Sequence, residues 1–269
     1  MITNKCKSFL TVLGVSFALS SGAALSAPTI YTPITGFQDD DLDWVIDNNN
    51  NGIIDIGDDL IAVVEITNTF SVLPAGSTAP IGPGEELTGI VELTVTGDVS
   101  TTGIPGSLEF GPMAGGVLGG NDVIGLWLDG TPDLDVVAVN CGSLAACTAL
   151  AIDGASYLTA GLIAANGDSW AVPGGGITNI ATVLASAATT TVGFVNFDTT
   201  ITSNGAGLQL LDNNLTGSGN ILGGQGLTNG AIARSDFDFQ INVPEPGVLA
   251  LFAIGLMGFG FANNKKRQA

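Results

Sequence analysis

Short runs of alternating apolar and polar residues, broken repeatedly by Gly and Pro clusters, constrain this chain more than any other feature. In Leu87–Thr96, Leu87, Val91, Leu93 and Val95 alternate with Thr88, Glu92, Thr94 and Thr96. In Asp236–Val243, Phe237, Phe239, Ile241 and Val243 alternate with Asp236, Asp238, Gln240 and Asn242. A period of two puts one set of side chains on one face of a strand, buried, and the other set in water. Leu60–Thr69, Val123–Leu128, Leu134–Val139 and Thr190–Phe197 are further strand candidates. The clusters P-A-G-S-T-A-P-I-G-P-G-E-E, G-P-M-A-G-G, P-G-G-G and T-G-S-G-N read as turns between them. Only Leu144–Ala151 and Ile177–Ala188 read as short helices, and no fixed-period repeat is present. The expectation is an all-β, β-sandwich-like ectodomain over residues 27–242. The Pro- and Gly-rich 70–90 stretch reads as a long loop within it.

Charge narrows the functional classes. The formal net charge is −19, and there is no histidine. Five of the six basic residues lie near the termini, at Lys5, Lys7, Lys265, Lys266 and Arg267; Arg234 alone lies between. Every acidic residue falls within Asp39–Glu245. Such a body lacks the basic footprint of a nucleic-acid partner and suits an extracellular protein that attracts cations.

Residues 1–26 read as a secretory signal peptide. Lys5 and Lys7 supply a positive start, Phe9–Leu19 an apolar core, and S-S-G-A-A-L-S-A the small residues of a cleavage site. Ala24 and Ser26 fit the −3 and −1 positions, so the secretion translocon is an expected partner and Ala27 the expected mature start. Cys6 leaves with the signal. Cys141 and Cys147 remain, an even pair in an oxidising compartment, and C-G-S-L-A-A-C is expected to close a small disulfide loop.

The acidic stretch Asp39–Asp59 contains D-N-N-N-N-G-I-I-D-I-G-D at residues 47–58. On a twelve-residue calcium loop Asp47, Asn49 and Asn51 take positions 1, 3 and 5, Gly52 the sharp turn at 6, and Ile53 offers its carbonyl at 7. Asp55 and Asp58 fall at 9 and 12. Ile54 at position 8 faces the core. The stretch resembles EF-hand and dockerin loops, and also the calcium turns that open β-sandwich repeats in bacterial surface proteins. Two departures separate it from an EF-hand. Asp58 is shorter than the bidentate Glu usual at position 12, and L-I-A-V-V-E-I-T-N-T follows as a strand rather than a helix. A metal-free Asn/Gly turn between strands is the alternative reading of the same residues.

The chain ends in three parts over residues 243–269. Val243-Pro244-Glu245-Pro246 is a stiff extended motif, because each Pro fixes its own φ and extends the residue before it. Gly247–Ala262 carries no charge and spans about 24 Å as a helix, a short transmembrane segment. Lys265, Lys266 and Arg267 form a cytoplasmic stop. This order resembles the PEP-CTERM sorting signal of Gram-negative bacteria. The resemblance implies processing near Pro244–Pro246 by an exosortase-type enzyme, an inner-membrane intermediate, and delivery to the cell surface or an exopolysaccharide matrix.

No residues assemble into a catalytic motif. Without histidine there is no Ser-His or Cys-His pair, and G-D-S-W at Gly167–Trp170 lacks the partner a hydrolase serine needs. The functional expectation is a non-enzymatic structural or interaction protein of the surface or matrix, with calcium as its possible cofactor. The alternatives are a carbohydrate-binding or adhesive module using Trp44, Trp127, Trp170 and Tyr157, and a secreted hydrolase with a carboxylate pair.

Overall fold

The structure is a computed structural model, and it describes residues 36–71, 77–79, 84–208, 210 and 212–241. In chain order its elements are β1 (Gly36–Ile46), β2 (Asp59–Ser71), β3 (Ser77–Ala79), β4 (Glu86–Gly97), α1 (Val99–Thr102), β5 (Leu108–Pro112) and β6 (Asp122–Asp129). There follow α2 (Leu144–Ala151), β7 (Ala155–Gly161), β8 (Ser169–Val172), α3 (Ile180–Ala185), β9 (Thr191–Ser203), β10 (Asn214–Gly223) and β11 (Ala233–Ile241). The all-β expectation holds, but the strands do not form two stacked sheets. β2, β1, β11, β10, β9, β7, β6 and β4 pair in that order, all antiparallel, and β4 returns to β2 from Asp59↔Thr94 to Glu65↔Thr88. The result is a closed eight-strand barrel. Closure removes the unpaired edges that a sandwich leaves.

One arc of the wall is double. β4 pairs with β6 through residues 86–91 and with β5 through 93–97. β9 receives β7 at residues 200–203 and β8 at 196–198. β6–β7 therefore bridges β4 to β9 at one level, and β5–β8 bridges them at the other.

The interior is filled by the residues that alternation selected. Phe37, Leu93, Val95, Ile124, Leu126, Leu158 and Leu215 are buried in one cluster. Trp170 stacks on Phe197 with centroids 4.3 Å apart, and Phe239 meets Phe197 edge-on at 5.4 Å. Gly217 on β10 makes room for this group: a Cβ there would lie 2.3 Å from Cζ of Phe197. T-G-S-G-N, read as a turn from sequence, is thus the middle of β10, and its glycines serve packing.

A second cluster lies outside the wall. Leu42, Trp44, Val63 and Ile90 point outward from β1, β2 and β4, and Leu134, Val136, Cys141, Cys147 and Ala151 cover them. Strand side chains pin this cover. Glu86 accepts the Asp133 and Leu134 N–H groups at 2.6 and 3.1 Å, Glu65 accepts that of Val136 at 3.0 Å, and the Thr88 hydroxyl donates to the Ala151 carbonyl at 3.1 Å. Leu134–Val139 is consequently not the strand its pattern predicts, because carboxylates rather than a neighbouring strand take its backbone donors. The Cys141–Cys147 disulfide is present within this cover, with Cα atoms 5.1 Å apart. α2 matches the expected Leu144–Ala151, whereas the expected Ile177–Ala188 helix is confined to α3.

Strand direction places the start of the first strand and the end of the last. Gly36 at the start of β1 lies opposite Gln240 near the end of β11, and Asp43 lies opposite Ala233. One rim of the barrel therefore carries Gly36 and Ile241, and the other carries Ile46 and the turn after it.

Candidate cation loop and buried carboxyls

Residues 47–58 form the β1–β2 connection, as the strand-like sequence on their C-terminal side demands. Gly52 takes a φ of 75°, the left-handed conformation that the sharp turn needs and that glycine adopts without a Cβ penalty. Asp47 holds the turn by accepting the Asn51 N–H at 3.1 Å and the Gly52 N–H at 2.7 Å. The Asn49 and Asn51 amides donate to the two oxygens of Asp55 at 2.8 and 2.6 Å. Asp47, Asn49, Asn51 and Asp55 thus share one exposed network of oxygen-bearing side chains.

Asp58 stands apart from it. It is fully buried, and its oxygens accept the Asn48 and Asp55 N–H groups at 2.9 and 3.0 Å. Ile53 forms an isolated bridge with Asn179, while Ile54 packs into the core as expected. Four of the six expected calcium positions therefore come together, and Asp58 closes the turn.

Two other groups of carboxylates lie outside the expected loop. Glu86, Asp129 and Asp133 bring one oxygen each within 4.8 Å of one another, the one such trio among the described residues. Burial raises the Glu86 pKa against the opposing effect of its Asp133 and Leu134 hydrogen bonds. No local spacing singles out residues so far apart in the chain.

The second group is on β1. Asp39, Asp41 and Asp43 alternate with the outward Leu42 and Trp44, and they point into the barrel with exposures of 1%, 1% and 3%. Phe237 N–H donates to Asp39 at 2.6 Å, and the Ser235 hydroxyl donates to Asp43. One oxygen of Asp39 has no hydrogen-bond partner, and Asp41 is met only by Ser235, whose approach opposes the upward shift without cancelling it. Burial pushes all three carboxyls up, Asp43 to about 6 and the others well above the usual carboxylate range, with mutual repulsion adding to Asp39 and Asp41. The period-two signal is visible in D-D-D-L-D-W, but a run of Asp reads as solvated loop.

The four candidate aromatic residues do not form an exposed strip. Trp44 and Trp170 are 6% and 4% exposed, and Trp127 and Tyr157 are partly buried against the clusters. Ser169 and Trp170 of G-D-S-W begin β8.

The signal-peptide residues 1–26, Val243–Pro246, the apolar 247–262 segment and Lys265–Arg267 lie outside the described residues. Among the described residues no helix is long and apolar enough to cross a membrane. Comparison with curated proteins and with solved structures found no match. Comparison with family models found one: the PEP-CTERM protein-sorting motif, matching residues 242–267. That motif implies the C-terminal sorting signal of an exosortase substrate, with export and a membrane-anchored intermediate before surface localisation. The match begins one residue after β11 ends at Ile241. Residues 242–267 of this chain carry the PEP-CTERM protein-sorting motif.

Proposed function

We propose that this protein is a non-catalytic structural or interaction component of the bacterial surface or exopolysaccharide matrix, delivered by its tail and stiffened by calcium at residues 47–58. The observation that carries the reading is the sorting motif at 242–267, which comes directly after the last barrel strand. A closed barrel whose interior is packed with side chains suits a stable cargo. The calcium part rests on the shared network of Asp47, Asn49, Asn51 and Asp55. Turning either amide over presents its oxygen where its nitrogen now lies, so the loop offers the hard oxygen donors that calcium takes. The adhesive-module alternative has less support, because Trp44 and Trp170 are buried.

Two measurements test the proposal. Intact mass of the protein from its native host is expected to show an end near Pro244–Pro246; a mass that still includes Lys265–Arg267 would remove the support for surface delivery. Millimolar calcium is expected to raise the Tm of the wild type, and to do nothing for the Asp47→Ala/Asp55→Ala variant. An equal rise in both proteins would place calcium elsewhere.

A further inference from the structure

The ladder Asp39–Asp41–Asp43 presents an electrostatic problem that the rest of the barrel does not solve. Three carboxyls lie on the inward face of one strand, nearly excluded from water. Ionised carboxylates in such a setting require a counter-charge, because burying an unpaired charge is far more costly than burying a neutral polar group. Among the described residues no side chain supplies one. Arg234 is the one basic residue among the described residues. It lies opposite the outward-facing Leu42, and its guanidinium donates to the Gln225 carbonyl.

The flanking inward residues are Ala62, Val64 and Ile66 on β2 and Ala233, Ser235 and Phe237 on β11, none of them ionisable. The titratable groups on the adjoining outward faces are Asp40 on β1, Glu65 on β2, and Asp236 and Asp238 on β11, all acidic. Asp40 and Asp236 repel a charge on Asp39. A shared metal ion does not fit either, because the ladder's oxygens do not converge as those of Glu86, Asp129 and Asp133 do. Alternate residues on a strand are about 6.6 Å apart along its axis, too far for three monodentate ligands of one ion. The remaining neutraliser is one proton per carboxyl.

We propose that Asp39, Asp41 and Asp43 form a proton-loaded seam between β1 and β11, which fastens the first and last strands of the barrel while its carboxyls are protonated and weakens as they ionise. The upward shift of all three groups is in the same sense, with Asp43 at about 6. A carboxyl raised in the folded state contributes stability that is complete below its unfolded value, near pH 4, and is lost as pH rises through its folded value. The barrel is therefore tightest below about pH 4 and loosens as pH rises from there, through about 6 for Asp43 and higher for Asp39 and Asp41, at the strand paired with the one that leads into the sorting motif. The inference rests on the barrel interior alone and is independent of the calcium and surface readings.

The test is Tm against pH for the full chain in detergent micelles, with chelator present so that residues 47–58 hold no calcium. Between pH 4 and 8 the wild-type Tm is expected to fall by several degrees. Asp41→Asn keeps the shape of the protonated side chain and cannot ionise. It is expected to raise Tm at pH 8 by several degrees and to leave it nearly unchanged at pH 4. Infrared spectroscopy of the wild type is expected to show a protonated-carboxyl C=O band at pH 7, diminished in Asp41→Asn. A wild-type Tm that is flat or rises to pH 8 overturns the proposal, as does the absence of that band, which remains decisive if the variant does not fold. Recovery of the pH 4 Tm at pH 8 on adding calcium or sodium to the Asp47→Ala variant would also overturn it, because a cation rather than protons would then neutralise the seam.

Discussion

Reducing the Cys141–Cys147 disulfide isolates the contribution of the cover over the outer cluster. The bridge closes a short loop, with a sequence separation of 6. For such a loop the chain-entropy relation gives about 7 cal/mol/K, or about 2 kcal/mol at 25 °C. A barrel of this size loses about 2–4 °C of Tm per kcal/mol, so reduction is expected to lower Tm by about 4–9 °C. Cys141→Ala/Cys147→Ala is expected to fall further, because both sulfurs are buried among Leu134, Val136 and Ile90 and their loss leaves space there. The assay is thermal unfolding by circular dichroism with and without reductant, with thiol alkylation and mass measurement to confirm reduction. Reductant should move the wild type and not the double variant. A fully reduced wild type whose Tm stays within about 1 °C would refute the reasoning. It would mean that residues 134–151 unfold separately from the barrel, despite their bonds to Glu65, Glu86 and Thr88.

Two further substitutions probe the wall. Glu92 accepts the Val117 and Leu118 N–H groups at 2.9 Å each from a buried position, so Glu92→Ala is expected to cost about 2–4 kcal/mol in urea unfolding, and Glu92→Gln less, because the amide keeps one acceptor. Gly217→Ala puts a Cβ 2.3 Å from Cζ of Phe197 and 2.6 Å from the Asp238 carbonyl oxygen, and is expected to cost about 1–3 kcal/mol with a change in the near-ultraviolet signal of the Trp170–Phe197 stack.

The strands that sequence makes legible are those whose polar residues point away from the barrel interior. β4 and β11 show one apolar face and one face of Thr, Glu, Asp and Gln, and alternation alone identifies both. α2 is legible because L-A-A-C-T-A-L-A comes after Ser143, whose hydroxyl caps it. β1 is hidden because its inward face carries acids, the reverse of the usual polarity rule. β10 is hidden because its inward glycines look like turn residues until Phe197 and Phe237 are seen against them. Closure is not legible either. The β2–β4 pairing that turns a sheet into a barrel depends on twist accumulated over every strand, which no local pattern records. In the candidate loop, Gly52 and the Asp47–Asn51 network obey the expected spacing. Asp58 does not: it is one methylene shorter than Glu, and it folds back onto backbone donors.

The antiparallel pairing of the first and last strands also gives the barrel a near end and a far end. Its β1 has 11 residues, about 36 Å of strand. With the tilt of a barrel wall this separates the rims by about 25–30 Å. Ile241 leaves from one rim, and residues 47–58 crown the other. The Asp- and Asn-rich crown is therefore the part of the barrel farthest from Ile241. A cation held at that crown would thus sit a barrel's length from the end of the last strand.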